Sequence, residues 1–130
     1  MMKKRNFITS VVFAILLVGT CTINAATYAQ NKSSNVSAGG AKFRASEKAT
    51  FNTTGNTRWS YSDKQLSYTG GTMYPINSNS NATTGAQYTN AGVYTTTRNH
   101  RITCTNQSYI DYTTTASISW TFNTNTNSFQ

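Results

Sequence analysis

Few side chains in this sequence could carry covalent or acid–base chemistry. It holds one histidine, His100, two cysteines, Cys21 and Cys104, and three acids, Glu47, Asp63 and Asp111. A nucleophile–base pair would need His100 and Cys104 within hydrogen-bond reach. On one extended strand, residues four apart stand roughly 13 Å from each other, so only a bend could close that pair. A carboxylate pair of the glycosidase sort would need two of the three acids in one cleft. One histidine and one cysteine do not make a zinc ligand set. No glycine-rich phosphate loop stands between a strand and a helix. The expectation is therefore a non-enzymatic protein with no catalytic residues, no metal and no cofactor.

Aromatic and basic residues are the stronger lead. Tyrosines beyond the needs of a core can form a stacking platform for sugars, because each ring joins an apolar face to a polar tip. Arginines interleaved with them extend the platform to anionic ligands. Arg58, Trp59, Tyr61, Tyr74 and Arg101 are the residues expected to bind ligand. Single-stranded nucleic acid uses the same combination, but an export signal makes it the weaker candidate.

That signal is at the start of the chain. Lys3, Lys4 and Arg5 precede an unbroken apolar run, Val11–Val18, followed by small residues with Ala25, Ala26 and Ala29 as candidate cleavage positions. The pattern is that of a secretory signal peptide over residues 1–29, and the run is too short to span a bilayer as a helix. An uncleaved membrane anchor is the competing reading. Lipidation at Cys21 is a further one, although Thr20 departs from the small residue that such processing sites carry. The net charge of +8 falls to +5 once Lys3, Lys4 and Arg5 leave with the leader. Such an excess attracts anionic wall polymers or phospholipid without specificity. Cleavage leaves Cys104 as the only cysteine, so no internal disulfide can form, which favours a bacterial source and stability from sheet packing.

The elements that must position these residues read as strands. In Tyr109–Phe122 the apolar residues Ile110, Tyr112, Ala116, Ile118, Trp120 and Phe122 fall on even positions and hydroxylated ones on odd positions. That period of two predicts a strand with one buried face. Its length predicts a bend near Thr113–Ala116, letting it serve two sheets. Ala41–Phe51 alternates in the same way except at Glu47, where a bulge or bend is expected; helix is the runner-up for Ala41–Ala49. Thr57–Ser62 and Leu66–Tyr68 read as strand, and Thr72–Ile76 as a short edge strand because of Pro75. Gln87–Thr89, Val93–Thr97 and Ile102–Thr105 complete the set. Asn77–Gly85 reads as a long exposed loop and Arg98–Arg101 as a polar turn or strand end. Residues 30–40 read as a flexible spacer and 123–130 as a frayed polar tail. Over 41–122 the expectation is an all-β domain, a small antiparallel β-sandwich or barrel of about seven strands.

Two fragments, Gly55–Tyr61 (GNTRWSY) and Ala91–Thr96 (AGVYTT), resemble the lactococcin-type secreted bacteriocins, which are small exported all-β proteins. The histidine-rich segment expected between them is missing, and neither function nor residues are carried across. The function expected is binding at the cell envelope or to extracellular glycan, outside the cell or on its surface. Partners would be a cell-wall glycan or anionic envelope polymer, with membrane contact also open. The alternatives are an antibacterial protein acting on envelope or membrane, and a self-assembling matrix or fibre subunit.

Overall fold

The computed structural model describes residues 25–130; residues 1–24, with Cys21 and most of the expected signal peptide, lie outside them. Seven strands follow in order: β1 Thr27–Ala38, β2 Ala41–Asn52, β3 Trp59–Gly71, β4 Asn77–Asn90, β5 Val93–Thr105, β6 Asp111–Asn123 and β7 Ser128–Phe129. They form two antiparallel sheets, β1-β2-β3 and β4-β5-β6-β7, with no helix among the described residues. Each strand pairs with its neighbour in sequence, so both sheets are plain meanders. Sandwich, not barrel, is the architecture. Thr72–Ile76 is not an edge strand; with Pro75 it forms the connection between the sheets.

Alternation explains the inner strands. On β2, Ala41, Phe43, Ala45, Glu47, Ala49 and Phe51 are buried, while the residues between them reach solvent. On β6, Ala116, Ile118, Trp120 and Phe122 are buried in the same rhythm. Burying a large apolar side chain of this kind contributes about 1.5–3 kcal/mol. β6 belongs to one sheet and does not serve both. It stays in register with β5 without a break from Val93↔Asn123 to Thr105↔Asp111, because β5 is as long as it is.

The strands that sequence patterning missed are those that bury little. Thr27–Ala38, expected as the end of the leader and a flexible spacer, is β1, paired with β2 along its whole length. Its inner face is Gln30, Lys32 and Ser34 between Tyr28 and Val36, so no apolar stripe marks it. A cut after Ala29 would remove three residues of this strand, whereas one after Ala25 or Ala26 leaves it whole. Asn77–Gly85, expected as a loop, belongs to β4, which has no buried residue and is held by backbone pairing to β5. Arg98–Arg101, expected as a turn or strand end, is the middle of β5. The tail closes as β7, where Phe129 packs edge-on to Phe122 at 5.2 Å and Gln130 N–H donates to the Thr121 carbonyl.

A bulge lies opposite Glu47, on β3 and not in β2, where the sequence pattern predicts it; Glu47 itself is buried in step with its neighbours. Ser46 pairs with Gln65 and Lys48 with Ser62, so Asp63 and Lys64 together oppose Glu47. Asp63 takes a positive φ of 57° there. The extra residue reverses the parity of β3, which turns Trp59 and Tyr61 inward before the bulge and Leu66 after it. The open sides of the sandwich are latched by side chains reaching carbonyls of the opposite edge. Lys64 Nζ donates to Ser80 O at 2.8 Å, Lys32 Nζ to Ser119 O at 2.9 Å and Trp120 Nε1 to Gln30 O at 3.0 Å.

Hydrogen–deuterium exchange measured residue by residue tests the reassignment of β1. Alternate amides across Thr27–Ala38 should be protected to the level of β2, since an edge strand bonds only every second amide. Uniformly fast exchange would restore the flexible spacer.

Candidate functional site

The five expected ligand residues do not form one cluster. Trp59 is buried, 7% exposed, with its ring edge-on to Phe51 at 5.0 Å. Tyr61 is half-buried; its hydroxyl pairs with Thr96 Oγ1, and its ring lies 4.2 Å beneath the Arg98 guanidinium. Tyr74 is exposed at the opposite end of the sandwich, on the connection between sheets. Arg101 is exposed on the outer face of the second sheet, in register with Asn81 and Thr115. Only Arg58 and Trp59 share a surface.

That surface is a groove of about 420 Å³ at the mouth of the sandwich, where β3 and β5 begin and β4 ends. Asn56, Thr57, Arg58 and Trp59 line one wall, and Gln87, Tyr88, Thr89 and Tyr94 the other. The Arg58 guanidinium lies 5.3 Å from the centroid of the Tyr94 ring, and its Nη1 donates to the Thr53 carbonyl. A ring below and a carbonyl beside it hold the cation in the groove wall, with one nitrogen of its fork engaged on that carbonyl. No acid is among the lining residues. The groove thus offers one oriented cation, several neutral amides and hydroxyls, and aromatic walls. That set can hold a carboxylated sugar or a phosphate-bearing polyol.

Sequence reading found Arg58 but not Tyr94, Gln87 or Thr89. Tyr94 faces inward because it shares the parity of buried Thr96 and His100. Gln87 and Thr89 join that side through a second bulge, at Gly85–Ala86 opposite Thr97. Gly85 was the visible signal, since glycine inside a strand often marks a bulge. The bacteriocin-like fragments Gly55–Tyr61 and Ala91–Thr96 face one another across this groove, through the Arg58–Tyr94 and Tyr61–Thr96 contacts. Comparison of the chain with protein-family models, curated proteins and solved structures returned no match.

Behind the groove lies a buried polar layer that separates two apolar clusters of the core. Glu47 of β2 is 1% exposed at its side chain and receives Arg98 Nε of β5 at 2.7 Å, with Arg98 Nη2 at 3.5 Å. Arg98 Nη1 also donates to Thr84 Oγ1 at 3.1 Å. His100 Nε2 stands 3.4 Å from Glu47 Oε2, yet neither ring nitrogen has a hydrogen-bond partner. Burial holds the His100 imidazole below its ordinary pKa of 6.5; Arg98 and Lys64 add to that, and Glu47 opposes it.

The Cys104 thiol is in the core, aimed at the Ala38 carbonyl at 3.9 Å. Burial, and after it Asp111, pushes its pKa up and favours the thiol over the nucleophilic thiolate. Both His100 and Cys104 point inward from one straight strand, so they do not meet. Of the acids, Asp63 is at the bulge opposite Glu47 and borders the same surface pocket, but it is 3.2 Å from Lys48 Nζ while Glu47 is bonded to Arg98; Asp111 stands apart at the start of β6. Among the described residues no group of three His, Cys, Asp or Glu side chains could hold a metal.

Removing one member of the inter-sheet pair strands the other. Glu47→Ala should cost about 3–5 kcal/mol in urea unfolding, and Glu47→Leu combined with Arg98→Met should recover most of it. A cost below 1 kcal/mol for Glu47→Ala would show the pair to be unimportant for stability.

His100 gives a pH dependence with a defined sign. The unfolded chain takes up a proton near 6.5, while the native imidazole, depressed by burial, does not. Stability is present above 6.5 and is lost as pH falls from there through the native value, by up to about 1.4 kcal/mol per pH unit. In His100→Leu that part of the acid slope should vanish. An unchanged slope would assign the acid sensitivity to other groups.

Proposed function

We propose that this chain is an exported, non-enzymatic β-sandwich that binds an acidic glycan or anionic envelope polymer through the groove at its mouth. The observation that carries this reading is the Arg58 guanidinium, held over Tyr94 in a groove lined by amides and hydroxyls and no acid. An oriented guanidinium matches a carboxylate or phosphate in both charge and geometry. Asn56, Thr57, Gln87 and Thr89 supply neutral donors and acceptors for the hydroxyls of a sugar or polyol. Trp59 and Tyr61 serve beneath the groove as its support, while Arg101 lies outside it. Export and a location outside the cell rest on Lys3–Arg5 and the apolar run Val11–Val18.

Sedimentation with washed bacterial cell walls at low and high salt tests the groove. Arg58→Gln should weaken binding about 10–100-fold, the range expected for losing one charged hydrogen bond. Arg58→Lys should recover only part of it, because the ammonium keeps the charge and loses the fork. Arg101→Gln should leave binding within about twofold. Equal binding by Arg58→Gln and the unsubstituted chain, both folded by circular dichroism, would refute the assignment.

A further inference from the structure

The end of the sandwich opposite the groove is built from different material. The connection Thr72–Ile76 and the turn Asn106–Ile110 between β5 and β6 meet there without a charged residue between them. Ile76 N–H donates to the Thr105 carbonyl at 2.8 Å, next to the turn, which Asn106 N–H closes onto the Ile110 carbonyl at 2.9 Å. Met73 packs partly buried against the core, yet four other large side chains at this end are exposed. Tyr74 is 66% exposed, Ile76 46%, Tyr109 83% and Ile110 52%. Tyr68 extends the patch, with its ring 5.1 Å from that of Tyr74.

The turn holds its side chains out. Asn106 Oδ1 accepts the N–H groups of Ser108 and Ile110, at 2.9 and 2.8 Å, and the Asn106 carbonyl accepts that of Tyr109. Tyr109 takes a φ of 61°, a region that a bulky aromatic residue enters only at a cost. A sequence free to choose would place glycine or asparagine there and turn both apolar residues inward.

Directly behind this tip, on the outer face of β2, are Lys42 and Arg44. Lys42 is in register with Gly70 of β3 and Ser37 of β1. With Asn35 and Thr69 these residues line a groove of about 350 Å³ that contains no acid. Arg44 uses Nε on Asn35 Oδ1 at 3.2 Å and keeps the rest of its fork. At about 3.3 Å per residue the two cations stand roughly 3–10 Å back from the end of β2. Interfacial segments bury their apolar face about 5–10 Å below the headgroups, so the offset suits cations at headgroup phosphates with the tip below them. Asp111, the one acid at this end, is on the other sheet and accepts a hydrogen bond from Thr105 Oγ1.

We infer that this end docks on an anionic phospholipid bilayer, inserting Tyr74, Ile76, Tyr109 and Ile110 at the interface while Lys42 and Arg44 meet lipid phosphates. Tyrosine suits that boundary because its ring is apolar and its hydroxyl stays hydrated. A second copy fits the tip less well, since tip-to-tip contact would bring the Lys42 and Arg44 of both copies to one rim.

A Tyr109→Trp reporter in the full chain tests this at the tip itself, whatever the apolar run Val11–Val18 does. Trp59 and Trp120 are buried, and the unsubstituted chain supplies their background. On vesicles of phosphatidylglycerol and phosphatidylcholine the new indole should shift to the blue and be quenched by brominated acyl chains. Adding Ile76→Ser and Ile110→Ser should weaken partitioning at least tenfold. Lys42→Gln with Arg44→Gln should abolish the preference for phosphatidylglycerol over pure phosphatidylcholine. An indole that ignores vesicles would overturn the proposal. So would one whose emission moves with protein concentration alone, which would assign the tip to a second copy. The vesicles carry no glycan, so neither result bears on the groove.

Discussion

The ion pair between Glu47 and Arg98 is the constraint around which the rest of the sandwich is arranged. It joins the central strand of one sheet to a central strand of the other, at the depth where an apolar core would ordinarily be continuous. Removing two charges from water costs several kcal/mol per ion, repaid only when both are well bonded. The surroundings meet that demand. Arg98 is shared between the carboxylate, Thr84 and the face of Tyr61, and Tyr61 is itself fixed by Thr96. The bulge at Asp63–Lys64 lies opposite Glu47, so the backbone departs from ideal pairing at the residue that departs from the apolar pattern. Apolar replacements of such pairs come close to the same stability, so the pair adds little net energy. Its value lies in register, since a slip of β2 by one residue would turn Glu47 out to solvent and bring Ser46 or Lys48 inside.

The two ends of the molecule follow from this division of the core. On one side of the polar layer, Phe51, Trp59, Trp120 and Phe122 make a dense aromatic cluster. It supports the groove of Arg58 and Tyr94. On the other side alanines, Phe43, Ile102 and Cys104 make a thinner cluster that leaves Tyr74, Ile76, Tyr109 and Ile110 outside. The open flanks are guarded by Lys32 and Lys64, whose ammonium groups occupy carbonyls that an intruding strand would need. In the reading adopted here, one end meets an envelope polymer and the other a lipid surface.

How much of this the sequence shows depends on where burial writes a pattern. β2 and β6 are legible because every second residue meets the opposite sheet, and Glu47 signals the bulge opposite it by interrupting that apolar rhythm. β1 and β4 are not, because an edge strand with Gln, Lys, Ser and Thr inside is ordered by backbone bonds to a partner, and those bonds leave no mark on side-chain type. The same limit applies to the groove. Arg58 stands out as a cation beside aromatics, whereas Gln87 and Thr89 face it only because of a bulge at Gly85–Ala86. Lys42 and Arg44 were in plain view as neighbours in a period-two strand, but their meaning depends on which turns lie at its end. Buried His100 has no signal in sequence at all, since a polar Arg-Asn-His-Arg run resembles a turn.

The meander connectivity has a kinetic side. Every ladder joins strands adjacent in the chain, so each sheet can close over a short loop at small entropic cost. The bonds between sheets span far more chain: 51 residues from Glu47 to Arg98 and 90 from Gln30 to Trp120. Contacts of that range form slowly. The topology therefore predicts two sheets that can zip early and a mating step that comes late, when Glu47 and Arg98 give up their water together.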